Sequence, residues 1–194
     1  KPVKLADAPG VVTMLGASDK AVVVETDKGL ARLEAKGVAK WKPIANAPAH
    51  VLALLDDRWA LVDRGLFDLR SGKLTAWPAG FRVASVSAVT NELVVAAGLH
   101  GNAAELVTLK GTTWSREAIA PAASPAGAAP LGSGAAQIVS VVADKAGRVV
   151  VAAKDGRLAV RSKAGTWSLS EVTSDLPADH PGSPPAESKA GSSP

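Results

Sequence analysis

The stretch VVVAAKDGRLAVRSKAGTW, Val149 to Trp167, decides the fold. It holds an apolar run, a Lys154-Asp155-Gly156 tip, a second run carrying Leu158 and Val160 between Arg157 and Arg161, a turn at Gly165, and a closing tryptophan. Short runs rich in β-branched residues and bounded by turn residues read as β-strands, and a glycine at the tip between two of them reads as a hairpin.

Recurrence is what makes the stretch decisive. Gly29, Gly65 and Gly101 stand at 36-residue intervals, and Gly156 follows 55 residues later. Trp41, Trp77, Trp114 and Trp167 keep step at intervals of 36, 37 and 53. The long last interval contains Pro121–Ala136 (PAASPAGAAPLGSGAA), and removing those 16 residues restores a spacing of 37. A fixed period of this size is the mark of a repeat architecture.

Each period divides into four short runs. The first unit (11–48) contains VVTMLG, AVVVET, LARLE and VAKWKPI; the second (49–82) contains VLALL, WALVD, LFDLR and LTAW. The third (83–120) and fourth (137–176) follow the same plan. Runs such as Val22-Val23-Val24 and Val149-Val150-Val151 have no polar alternation, so they predict strands covered on both faces. Alanine favours helix, but glycine and proline recur too often to leave long helices, and valine fills the runs between them.

Residues 1–10 imitate the end of a unit, because Leu5-Ala6-Asp7-Ala8-Pro9 lines up with Ile44-Ala45-Asn46-Ala47-Pro48. They read as the outer strand of a preceding or closing blade. The 121–136 insertion lacks the large side chains that offset ordering entropy and is expected to be a mobile loop. Residues 177–194 (PADHPGSPPAESKAGSSP) have the composition of a disordered tail or linker.

Four such units resemble the blades of a β-propeller. Gly111-Thr112-Thr113-Trp114 is similar to the last positions of the Asp-box blade, Ser-x-Asp-x-Gly-x-Thr-Trp, with Val107 and Leu109 in the Ser and Asp places. Asp68-Leu69-Arg70-Ser71-Gly72-Lys73 followed by Trp77 resembles the quinoprotein-like blade. The resemblance implies an all-β β-propeller of four four-stranded antiparallel blades. Since the fourth unit has its own outer strand, the N-terminal one is surplus, which favours part of a larger propeller, and of a longer chain, over a closed four-bladed ring. The tryptophans are expected to pack between blades, Trp59 included.

Composition narrows the function. A net charge of +4 is spread along the chain without the dense stripe a nucleic-acid site requires, and Arg157 and Arg161 read as a solvated strand face. There is no cysteine and no apolar run long enough for a membrane span. A sialidase-like mechanism needs a tyrosine nucleophile, and the chain has none. The three histidines, His50, His100 and His180, are far apart, so neither a metal site nor a cofactor is expected. Asp56-Asp57 reads as a solvated turn whose carboxylates point apart. No Gly-x-Ser-x-Gly turn is present. The expectation is a protein that is not an enzyme.

In a propeller the turns between second and third strands share a face with the connections between blades. Asp27 and Lys28, Asp63 and Arg64, His100, and Lys154 and Asp155 occupy those turns. They are the candidate binding residues, together with the 121–136 loop, in an interaction or scaffold module whose partner is a protein or a larger assembly. The alternative is a glycan-binding or glycan-processing Asp-box-like propeller. A cysteine-free chain with a Pro/Ser-rich tail fits an exported bacterial protein, secreted, periplasmic or on the outer membrane surface.

Overall fold

The computed structural model describes residues 7–18, 20–34, 40–120, 131 and 137–171. Most of the expected outer strand 1–10, all of the 121–136 insertion except Leu131, and the tail 177–194 lie outside the described residues.

The described chain is all strand and turn. Sheet 1 contains β1 (Val12–Ala17), β2 (Ala21–Thr26), β3 (Gly29–Glu34) and β4 (Lys42–Pro43); sheet 2 contains β5 (Ala53–Leu54), β6 (Trp59–Val62), β7 (Gly65–Asp68) and β8 (Lys73–Ala76). Sheet 3 contains β9 (Phe81–Thr90), β10 (Leu93–His100), β11 (Ala103–Lys110) and β12 (Thr113–Ala118). Sheet 4 contains β13 (Ile138–Ala143), β14 (Val149–Ala153), β15 (Arg157–Arg161) and β16 (Trp167–Glu171). Within each sheet the strands are antiparallel and lie in chain order, as in the blades of a propeller or of part of one. No helix among the described residues is long and apolar enough to cross a membrane.

Bulges fix the correspondence between units. In sheets 1, 3 and 4 the first strand carries an extra residue at a matching place, Thr13, Ala84 and Val139, and β9 has a second at Val89. An extra residue re-aims the side chains that follow it. Met14, Ser85 and Ser140 therefore correspond, and so do Leu15, Val86 and Val141. The first set faces the following sheet: Met14 packs on the core shared with sheet 2, and Ser85 Oγ accepts the Val141 N–H of sheet 4 at 3.0 Å. The second set faces backward, Val86 toward Trp59 and Leu66, Val141 toward Val95 and Leu106.

Three joints hold the sheets together. Val23 and Leu30 meet Val51, Ala60 and Phe67 between sheets 1 and 2. Trp59 and Leu66 meet Val94 and Leu109 between sheets 2 and 3. Val95, Ala97 and Leu106 meet Val141, Val149, Val151 and Trp167 between sheets 3 and 4. Leu131, the one described residue of the insertion, is buried in this third cluster. At about 25 cal/mol per Å² of apolar surface removed from water, flat faces of valine and alanine stabilise the fold only when they stack closely, which is how these joints are built.

Trp59, Trp77, Trp114 and Trp167 sit at the joints as expected. Trp59 is fully buried, and its Nε1 donates to the Asn91 carbonyl of sheet 3 at 3.1 Å. Trp114 Nε1 donates to the Ala76 carbonyl of sheet 2 at 2.8 Å, with its ring 5.3 Å from that of Trp77. Trp167 Nε1 donates to Glu117 of sheet 3 at 2.7 Å.

Two expectations about strand faces fail. Arg157 and Arg161 do not form a solvated face: Arg157 is buried beside Asp155, and Arg161 reaches across to Glu117 at 2.9 Å. The unbroken run Val149-Val150-Val151 is not covered on both faces, since Val150 is 37% exposed between two buried neighbours. β10 and β14 carry similar runs, but only β10 has a sheet on either side.

Candidate functional site

The turn between the second and third strands of each sheet lies at the end where the chain enters that sheet. The geometry follows from antiparallel order, and hydrogen bonds record it in three of the four units. Asp27 Oδ1 accepts the Val11 N–H at 3.0 Å, Arg82 donates to the Gly101 carbonyl at 2.8 Å, and the Lys154 N–H donates to the Gln137 carbonyl at 2.8 Å.

These contacts divide the candidate residues. Asp27 ties down the entry to its own sheet. Asp155 holds Arg157 at 2.8 Å, and the hydrogen bond from that guanidinium keeps its carboxyl below the usual carboxylate range. His100 lies against Gly80, where a Cβ would fall 2.9 Å from the imidazole. Lys28 and Lys154 are exposed on their turns. His100, Lys154 and Asp155 belong to sheets 3 and 4 and line none of the clefts described next.

Asp63 and Arg64 are placed differently. They are exposed on the turn after β6 and line a cleft of about 520 Å³ with His50, Asn46 and the apolar Phe67 and Leu74. Asp27 and Lys28 line a neighbouring cleft of about 430 Å³, which also contains Asn46. A third, of about 420 Å³, runs from Asn46 past Lys42 to Arg32 and Arg70. All three share Asn46, on residues 42–50 that end sheet 1 and lead to sheet 2, and we read them as one branched groove.

Asn46 is the hub of this groove. Its φ of 55° is the only positive value at a non-glycine among the described residues. Asparagine tolerates that region better than other side chains, and such residues gather at functional sites. Opposite it, a side chain added at Gly72 would meet the Ala45 carbonyl at 3.5 Å and the Asn46 amide at 3.8 Å.

Below the groove lies a polar network where a solvated turn was expected. Asp57 is completely buried and pairs with Arg32 of sheet 1 at 2.9 Å and Arg70 at 2.8 Å. Asp56 Oδ1 accepts the N–H groups of Arg58 and Trp59 at 2.7 and 2.6 Å. Asn91 of sheet 3, oriented to satisfy its amide, donates to Asp56 at 3.3 Å and accepts from Arg70 at 3.2 Å. Burial pushes the Asp56 carboxyl up. Burial acts on Asp57 in the same direction, but the hydrogen bonds from Arg70 and Ser18 and the charges of both arginines outweigh it and hold the carboxyl down. These residues brace sheets 1, 2 and 3 against one another. Among the described residues no group of three or more His, Asp or Glu is placed to hold a metal ion.

No protein-family model and no curated protein matches the chain. Solved structures do resemble it. The β-propeller domain of Cps50 (Swd1) from Myceliophthora thermophila is 14% identical with a TM-score of 0.52, and the match covers 88% of this chain and 58% of that one. PorZ, a surface component of the type-IX secretion system of Porphyromonas gingivalis, is 17% identical with a TM-score of 0.48 over 81% of this chain and 22% of that one. The extracellular domain of BT4673, assigned to a one-component system of B. thetaiotaomicron, is 13% identical with a TM-score of 0.44 over 89% of this chain and 23% of that one. The chain spans less than two thirds of each of these structures. At such identities the likeness shows the fold alone, a β-propeller or part of one.

Proposed function

We propose that this chain is a non-catalytic propeller module that holds a segment of a protein partner in the groove between its first two blades. The observation that carries the reading is that three clefts share Asn46, one of them lined by Asp63, Arg64 and His50 together with apolar Phe67 and Leu74. An apolar floor with a few placed polar groups is the usual make-up of a binding cleft. Leu74 keeps 44% of its surface exposed there, an apolar contact waiting for a partner side chain.

A glycan partner suits the groove less well. Sugar rings stack on exposed aromatic faces, and here every tryptophan is buried or half-buried while tyrosine is absent. The extracytoplasmic location expected from the sequence is part of the same proposal, and recovery of the protein from the cytosolic fraction of its native cells would remove it.

The test pairs the wild-type chain with Asp63→Ala/Arg64→Ala as baits for photo-crosslinking from residue 46, which marks what enters the groove. A protein segment crosslinked by the wild type and lost in the double variant supports the proposal. Binding on a glycan panel that Asp63→Ala and His100→Ala both abolish overturns it in favour of a glycan-binding propeller.

A further inference from the structure

The cleft that runs from Asn46 to Arg32 and Arg70 is walled by three cations, the third being Lys42. We propose that this branch of the groove takes a carboxylate, the Asp or Glu side chain of a bound protein segment whose neighbouring apolar residue rests against Phe67 and Leu74. The proposal rests on the reading of the groove as a segment-binding site and names the chemistry of the segment.

Two sheets deliver the charges. Arg32 on β3 stands directly opposite Lys42 on β4, so both side chains leave sheet 1 on the same face, and like charges in that relation repel. Arg70 comes from sheet 2, on a turn fixed by Asp68. The Asp68 carboxylate accepts the N–H groups of Arg70 and Ser71 at 2.8 and 3.2 Å, and its carbonyl accepts that of Gly72 at 2.8 Å. No Asp or Glu is among the described residues that line this cleft. Asp57, the carboxylate that holds both arginines, is completely buried, and its one charge cannot offset three. Of the other carboxylates near Arg70, Asp68 pairs with Arg58 at 3.1 Å and Asp56 is capped by backbone amides.

Donors remain for an anion. The Arg70 side chain is 37% exposed, and its guanidinium bonds to Asp57 at 2.8 Å and to Asn91 at 3.2 Å both leave from Nη2. Its Nε and Nη1 therefore have no acceptor among the described residues. Lys42 is exposed, and its ammonium pairs with no carboxylate among the described residues. Hydrogen bonds from such donors to a carboxylate are about twice as strong as neutral ones. The bond to Asp57 already holds the Arg70 guanidinium in place, so little freedom is lost when a second anion arrives.

The rest of the groove says what carries that carboxylate. Asn46 and Gly72 line both this cleft and the one that contains Phe67 and Leu74. A segment crossing them sets an acidic residue among the cations and an apolar one on the Leu74 side. A nucleic-acid backbone would need cations along the whole groove, but Asp63 and Asp27 stand in its other branches.

Phage display with the full chain as bait tests the proposal, using random dodecapeptides fused through their C-termini so that no terminal carboxylate is offered. Enriched sequences should carry Asp or Glu beside an apolar residue. Made as amidated peptides, they should crosslink to residue 46, and replacing the acid by its amide should weaken binding about 10-fold. Lys42→Glu, at an exposed site outside the buried network, should keep the parental circular dichroism and reduce that ratio at least about 3-fold. Peptides that crosslink at residue 46 without an acidic preference, or with one that Lys42→Glu leaves intact, would overturn the carboxylate site while the groove stands as a segment-binding site. Enrichment only from a second library with free C-termini would overturn the side-chain assignment in favour of a terminal carboxylate. No enrichment from either library would overturn both readings.

Discussion

Asp57 and Asp56 are neighbours with opposite electrostatics, and the difference comes from partners supplied by other parts of the chain. Arg32 is 25 residues away and Arg70 is 13, separations that give the turn sequence Asp56-Asp57-Arg58 no sign of a buried pair. Asn46 was equally hidden, because an asparagine in a connection adopts ordinary backbone far more often than the left-handed region. Asp63 and Arg64 were legible from their turn, since hairpin tips leave charges in water. The pair makes a signed prediction. The depressed pKa of Asp57 contributes stability that is present above its unfolded value near 3.9 and is lost as pH falls through the folded value. The raised pKa of Asp56 works the other way, its contribution present in acid and lost as pH rises through the folded value. At neutral pH, Asp57→Ala takes from Arg32 and Arg70 the buried carboxylate they share and should cost about 3 kcal/mol. Asp56→Asn keeps the oxygen that caps two amides and should stay within about 1 kcal/mol of the wild type. Urea titrations at neutral and acid pH measure both: the Asp57→Ala deficit should shrink below about pH 4, and equal losses for the two variants would show that the pairing is not as described.

At the scale of the strand and turn, the repeating glycine was the most legible signal, yet it performs two different tasks. Gly156 has a φ of 87° and open space around its missing side chain, so what it supplies is backbone conformation. Gly65, the glycine of the second unit, lacks a positive φ; a Cβ there would fall 2.1 Å from the Thr75 carbonyl oxygen and 2.9 Å from the Ala76 Cα. It is needed because β8 crosses too close for any side chain. Spacing could not separate these cases, since both put glycine at the same place in the period. Asparagine distinguishes them. It adopts the left-handed region at a cost of about 1 kcal/mol, so Gly156→Asn should lower stability only slightly, whereas Gly65→Asn must push two backbones apart and should cost at least about 2 kcal/mol. Denaturant midpoints of the two variants read the contrast directly, and a Gly65→Asn protein as stable as the Gly156→Asn protein would refute the close approach.

Across the whole molecule, the period revealed the number of blades and their strand order, because glycine, tryptophan and valine recur wherever the same packing recurs. It could not reveal which strand faces are covered, since Val150 reads the same whether or not a neighbour lies on it. Among the described residues the buried clusters join each sheet to the one beside it, and stability in such a row is close to a sum of unit and joint contributions. The middle joint is therefore where cooperativity can be cut. Trp59 is 1% exposed there, stacks beneath Arg58 at 4.7 Å and bonds Asn91 across the joint. Trp59→Ala leaves a cavity and removes the indole bond to Asn91, whose carbonyl keeps Arg58 as a donor, a loss of about 3–5 kcal/mol. Because it falls between two pairs of sheets, it should split urea unfolding into two transitions, with the amides of β2 and those of β10 exchanging with different denaturant dependence. Leu131→Ala, at the third joint and beside an end unit, removes fewer contacts and should shift one transition without dividing it. If Trp59→Ala unfolds in a single step with an unchanged denaturant slope, the four sheets share one core, and the joints between them are not the units of stability.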